Sequence, residues 1–269
     1  MPEMTEEEHQ DARERTSVPA LIVHEAIRLD GDEELRRSSS ALAWSGLAAG
    51  LSMGFSLVGE GVLRACLPDA PWRPAIAKWG YSLGFVITIL GRQQLFTENT
   101  LTAILPLLAR RNLATFWNVM RLWVVVLIAN LAGAHLFAWA VTATDVFQPQ
   151  VRYAFEQVGR EALDVSFGSA VLRGIFAGWL IALVVWLNAA YDQGKLAIIL
   201  ILTYVVGLSR LTHVVAGTVE AMVPVFNGGV SWQTSMTGYV LPGLLGNIIG
   251  GVALVSALNH AQVLPPRRP

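Results

Sequence analysis

Apolar stretches of roughly 20 or more residues recur along this chain, each long enough to cross a hydrocarbon core about 30 Å thick. They run from about Ser40 to Leu67, Ala75 to Ala109, Leu113 to Thr142, Phe167 to Tyr191 and Tyr239 to Val263. A further apolar run, "GKLAIILILTYVVGL", spans Gly194 to Leu208. Lipid offers no partners to backbone N–H and C=O groups, so spans of this length must satisfy them internally, as helices do. Composition agrees: 54% of the 269 residues are hydrophobic and 14% charged, against about 25% charged in a soluble domain. Mean hydropathy is +0.49. The expectation is one all-α, polytopic integral membrane domain.

Charge is distributed unevenly. The first 38 residues hold eleven acidic and five basic side chains, net −6, while the remainder holds nine acidic and fourteen basic, net +5. This divides the chain into an acidic cytoplasmic tail, 1–38, a transmembrane domain, 39–264, and a short cytoplasmic C-terminal tail, 265–269. Within the first tail, "VPALIVHEAIRL" (Val18 to Leu29) has helical apolar spacing and is expected to form a short amphipathic helix at the membrane surface. "MPEMTEEEHQDARER" lacks the apolar core of a secretory signal, so the first span is expected to direct insertion. Cys66 is the sole cysteine and the five histidines show no metal-type spacing, which leaves no cofactor or metal to expect.

Two of the apolar blocks are interrupted. "GRQQLFTENT" (Gly91 to Thr100) splits the second, and "SRLTH" (Ser209 to His213) separates "GKLAIILILTYVVGL" from the stub "VVAGTVEAMV". The piece after the first break, "NTLTAILPLLA", would reach only about 16 Å as a helix, half the core. Each stub ends near a proline, Pro106 or Pro224. Superposing Phe96 on Leu211 sets Thr97 on Thr212 and Glu98 on His213, an internal repeat of three spans plus three. The fold expected is six transmembrane helices with broken second and fifth spans, as an aquaporin-like inverted repeat. Both termini then share one side with Arg36, Arg37, Arg110, Arg111, Lys195, Arg267 and Arg268. Arg64, Arg73, Lys78, Arg152 and Arg160 face the other, a bias towards cytoplasmic termini.

Non-helical backbone at membrane depth is tolerated only against protein or a water-filled cavity, so the two breaks imply a shared polar interior. The restarting half-helices turn their N–H ends towards it, which favours an anion, and Arg92 and Arg210 stand just before the restarts. His213 is the ionisable residue of the second break, a group able to change charge near physiological pH or lend a proton to a weak-acid anion. Glu98 either neutralises Arg92 or Arg210 or faces the pathway. Arg173 is read as snorkelling or carboxylate-paired. Glu60 and Glu220 are expected near span ends as interfacial carboxylates, and His135 and His260 as packing residues. The nine tryptophans suit interface belts.

Three motifs at these places carry a resemblance: "LFT" at Leu95 to Thr97, "LTHVVAG" around His213, and "LPGLLGNIIGG" from Leu241 to Gly251. In order and position the chain resembles the formate/nitrite transporter family over about residues 40–263. The resemblance implies a homopentamer in which each protomer has its own pore for small monovalent anions or their weak acids. It implies an apolar constriction that includes Leu95 and Phe96, Thr97 facing a central His213, and Asn247 orienting the imidazole. The sequence departs from the family pattern at Gln94, where an acidic residue is common, at Glu98, and at Arg210. It departs again at Val206, where a phenylalanine precedes the histidine, and at Gly178, which stands for an asparagine.

The functional expectation is a bacterial inner-membrane channel or transporter for small monovalent anions, with protons and lipid as its other partners and no nucleic acid. Passage is expected to depend on pH through His213. Alternatives are a neutral-solute or water channel of the same fold, though the Asn-Pro-Ala pair of aquaporins is missing, and a non-conducting sensor or scaffold. Ser209 and His213 are too weak a pair, without an oxyanion site, to make the chain an enzyme.

Overall fold

The computed structural model describes Thr5 and residues 18–263, so most of the acidic tail and the C-terminal Arg267 and Arg268 lie outside the described residues. Among the described residues the fold is all helical. An N-terminal helix, α1 (Ala20–Arg36), precedes α2 (Ser39–Cys66) and α3 (Arg73–Leu90). Two seven-residue helices follow, α4 (Phe96–Thr102) and α5 (Ile104–Arg110), then α6 (Leu113–Ala143) and α7 (Pro149–Leu163). The second half contains α8 (Phe167–Ala190), α9 (Lys195–Leu208), α10 (Ala216–Phe226) and α11 (Trp232–Val263). Helices α2, α6, α8 and α11 are long and apolar enough to cross a membrane.

Local chemistry sets the ends. Side chains of Ser38, Asn112, Ser166 and Ser231 accept hydrogen bonds from backbone N–H groups in the first turns of α2, α6, α8 and α11, filling donors a helix start leaves open. Prolines in the first turns of α3 and α7 lose nothing there, because those N–H groups have no intrahelical acceptor. Helix α11 is loosened by two π-helical stretches, Met236–Val240 and Ile249–Ala257.

Helix α2 packs on α3 and α6, and α8 packs on α9 and α11. Contact between α8 and α11 is close enough to exclude side chains: a Cβ on Gly178 would collide with the backbone of Asn247. The asparagine that the family pattern puts at Gly178 has no room here. The main core cluster surrounds the two breaks and includes Phe85, Leu95, Phe96, Val206 and Val214. Helix α7 fills the segment between α6 and α8, and it packs on α10 and α2.

Candidate functional site

The two breaks are built the same way. After α3, Gln93 N–H donates to Thr88 O and Arg92 N–H to Ile89 O; after α9, Leu211 N–H donates to Val206 O and Arg210 N–H to Gly207 O. Arg92 and Arg210 both adopt φ 51°, a left-handed conformation in which glycine or asparagine is the usual residue. Each break is then held by one asparagine. Asn130 of α6 accepts from Phe96 N–H (2.8 Å) and donates to Gln94 O and Gly46 O (2.8 Å each). Asn247 of α11 accepts from Val214 N–H (2.8 Å) and donates to Thr212 O (2.8 Å) and Gly174 O (2.9 Å). Both amides are fully buried, and each uses both donors and its acceptor on backbone that the helices have released.

This matching corrects the sequence register. Arg92 corresponds to Arg210, Gln94 to Thr212 and Phe96 to Val214, so Leu95, not Glu98, stands in the place of His213. Identity was a poor guide because the shared feature is backbone hydrogen bonding, which different side chains support equally. Asn130 went unnoticed in the sequence, although an asparagine in the middle of the apolar run "VVVLIANLAG" was a signal.

His213 is fully buried where the breaks meet. Its Nε2 lies 2.9 Å from Thr97 Oγ1, and Ala216 N–H donates to its Nδ1 at 3.1 Å. A backbone N–H can only donate, so Nδ1 is bare and a neutral imidazole carries its hydrogen on Nε2, donating to Thr97. The hydroxyl hydrogen of Thr97 is left with no acceptor among the described residues. Phe85 meets the imidazole edge-on at 4.9 Å. Leu95, Phe96 and Val206 are buried around this centre, with Phe96 wedged against Trp123.

A cavity lies towards each end of α3, one lined by Lys78 near its start and one by Arg92 just past its end. The cavity beside Arg92 offers about 430 Å³ and lies under α1; it is called inner, and the other outer, after the cytoplasmic side expected from the sequence for α1. Glu98 lines it with Arg92, Lys195 and the α1 carboxylates Asp30, Glu33 and Glu34, and makes no ion pair among the described residues.

The outer cavity is small, about 30 Å³, and lined by Lys78, Glu161, Arg173, Arg210 and Glu220 with the rings of Tyr81 and Tyr239. Behind it, Glu60 is fully buried and paired with Lys78 (2.7 Å) and Arg64 (2.9 Å); Arg64 also makes a two-pronged contact with Glu161. Arg210 reaches Glu161 at 3.3 Å. Burial pushes the Glu161 carboxyl up, but the hydrogen bonds and charge of Arg64, aided by Arg210 and Lys78, outweigh it and hold the group below the ordinary carboxylate range. Glu60 and Glu220 are both buried in protein, Glu60 among opposite charges and Glu220 against the cavity, which replace water as their surroundings. Arg173 lines the cavity and has no ion pair among the described residues.

Comparison with known proteins bears on what such a site does. Residues 22–261 match the family model described as formate/nitrite transporter. The chain is 39% identical over 244 residues to the inner membrane protein YfdC of Escherichia coli, covering 91% of this chain and 79% of that one. It is 26% identical over 196 residues to a probable formate transporter of Methanothermobacter thermautotrophicus, covering 66% and 71%. Among solved structures, a pentameric formate channel with formate bound superposes with a TM-score of 0.72 at 20% identity, over 84% of this chain and 98% of the other. At that identity the likeness speaks for the fold. The similar proteins of known role are transporters and channels, not enzymes.

Proposed function

The chain belongs to the formate/nitrite transporter family, and from that membership we propose that it passes small monovalent anions, formate or nitrite in kind, or their weak acids, with a pH dependence that runs through His213. The observation that carries this reading is the buried His213–Thr97 contact between two breaks, each clamped by an asparagine. The two unwound segments support a fold of six spans with the second and fifth broken, arranged as an inverted repeat, in a homopentamer like the formate channel it resembles. The name of the Escherichia coli relative and the bias of basic residues support an inner-membrane location with both terminal tails, 1–38 and 265–269, in the cytoplasm.

The mechanism follows from cost. An ion entering the apolar slit of Leu95, Phe96 and Val206 loses hydration worth several kcal/mol or more, whereas a small neutral acid does not. Arg210 at the outer mouth and Arg92 at the inner one draw the anion in. Thr97, taking the Nε2 hydrogen of His213, has its own hydroxyl hydrogen free for the passing group. Protonation, by a proton from water beside His213 or by the Nε2 proton of His213, which takes one back from water as it gives its own up, makes the neutral form that crosses. Asn130 and Asn247 hold the two loops, and Glu98 on the inner side disfavours anions there, giving the two mouths different affinities.

The test is a proteoliposome flux panel of formate, nitrite, acetate, lactate and hydrosulfide at several pH values. Wild type is expected to pass at least one of these with a pH-dependent rate. His213→Ala is expected to lower that rate about tenfold, about 1.4 kcal/mol of barrier, and to alter its pH profile. No flux of any anion, or identical profiles for the two proteins, would sink the reading.

A further inference from the structure

In the outer cavity the charges do not all find partners. Lys78 is taken by Glu60, Arg64 by Glu60 and Glu161, and Arg210 by Glu161. Glu220 has no ion pair among the described residues, its Oε1 has no hydrogen-bond donor, and the residue is only 6% exposed. Arg173 lines the same cavity, likewise without a carboxylate. A carboxylate without a cation and a guanidinium without an anion thus line one cavity and are not spent on each other. Their complements are a proton and a small monovalent anion.

We propose that Glu220 is a proton-linked loading residue of the outer cavity, which takes up a proton when Arg173 takes up a monovalent anion. This rests on the anion-passage reading and names a regulator of that same pathway. The cavity-lining charges are Lys78, Arg173 and Arg210 against Glu161 and Glu220, net +1, with Glu60 and Arg64 cancelling behind them. Protonating Glu220 raises this to +2, so the anion binds more tightly, and by reciprocity a bound anion makes Glu220 hold its proton more tightly. A planar guanidinium with parallel N–H donors suits a small oxyanion.

Every element around Glu220 brings titratable or apolar groups towards it. Helix α2 brings Glu60 and Arg64, α3 brings Lys78 and Tyr81, α7 brings Glu161, α8 brings Arg173 and α11 brings Tyr239. On α7, Arg160 and Glu156 pair with each other. Helix α6 faces α10 with apolar Ala134, Ala138 and Val141, and its His135 is engaged by Leu131 O and Trp232. Glu220 is therefore the cavity carboxylate that no cation among the described residues pairs with.

Nitrate is the probe, because its acid is too strong to be protonated at these pH values and any pH dependence belongs to the protein. Nitrate binding to the purified full chain is measured between about pH 5 and 8, together with proton uptake from weakly buffered solution. In wild type, affinity is expected to rise on the order of tenfold on acidification, with protons taken up as nitrate binds. Glu220→Gln is expected to bind nitrate independently of pH, near the wild-type acid value, with no proton uptake, and Glu220→Asp to keep both effects. Arg173→Gln is expected to weaken binding at every pH. Wild-type binding without proton uptake, uptake that survives in Glu220→Gln, or unchanged nitrate affinity in Arg173→Gln each overturns the proposal. Should Glu220→Gln fail to fold, the wild-type uptake and Arg173→Gln still decide it. Proton-linked nitrate binding without flux of any anion would sink the transport reading alone, and flux without linked binding would sink this one alone.

Discussion

An asparagine side chain has one acceptor and two donors, and Asn130 and Asn247 each spend all three on backbone in the middle of the protein. Replacing Asn130 by alanine leaves the Phe96 N–H and the carbonyls of Gln94 and Gly46 without those partners. At about 1 kcal/mol per net hydrogen bond the loss is about 3 kcal/mol. We expect Asn130→Ala to unfold at markedly lower temperature in detergent and to lose anion flux, and a wild-type melting curve would count against the clamp. Legibility differed between the two. Asn247 was visible because it sits in a recognisable glycine-rich motif, whereas Asn130 is a single polar residue in an apolar span and its partners lie 34, 36 and 84 positions away. His213 and Thr97 were legible as a pair only through the family motifs, since nothing in local sequence brings residues 116 apart to 2.9 Å.

At the scale of elements, the amphipathic helix expected over Val18 to Leu29 lies over Ala20–Arg36, because its helical pattern continues through the ion pairs of Arg28 with Asp32 and Arg37 with Glu34. Asp32 also pairs with Arg110 at 2.7 Å, fastening α1 to the end of α5. Arg121 of α6 donates to Leu35 O (2.8 Å), and a further tie is His24, whose Nε2 lies 3.0 Å from Nδ1 of His260 on α11. Burial, then the neighbouring His260, holds the His24 imidazole below its ordinary value of 6.5. A group whose docked pKa is lowered stabilises docking above its free pKa, and that stability fades as pH falls below about 6.5 towards the docked value. The protection of α1 amides, their exchange rate measured against the intrinsic rate at each pH, is therefore expected to fall on acidification through that range, and His24→Gln to remove most of the effect; equal pH response in both proteins would contradict the contact. Helix α7 is not among the elements expected from the sequence, yet Val151, Ala154, Phe155 and Val158 recur at helical spacing. That stripe is short and interleaved with polar residues, and its partner surface on α10 exists only after folding.

For the whole molecule, the apolar surface left on the protomer is large. Trp44, Leu113, Trp117, Val124 and Ile128 are all exposed, as lipid or a second copy requires. The pentameric assembly proposed above predicts that native mass spectrometry from mild detergent reports five copies of the chain; monomers across all gentle conditions would argue against it. Long apolar runs alone determined that this chain is an all-helical membrane protein, because hydrocarbon thickness and the need to satisfy backbone groups act on each segment separately. Its local motifs also marked where the helices would part. What only the tertiary structure decided is how the two breaks correspond, which asparagines hold them, and that Glu60 is buried in an ionic cluster with Lys78, Arg64 and Glu161 while Glu220 is buried beside it with no ion pair among the described residues. Those outcomes depend on Coulomb and hydrogen-bond contacts between residues as far apart as Arg64 and Glu161, whose energies arise only once the helices carrying them have packed.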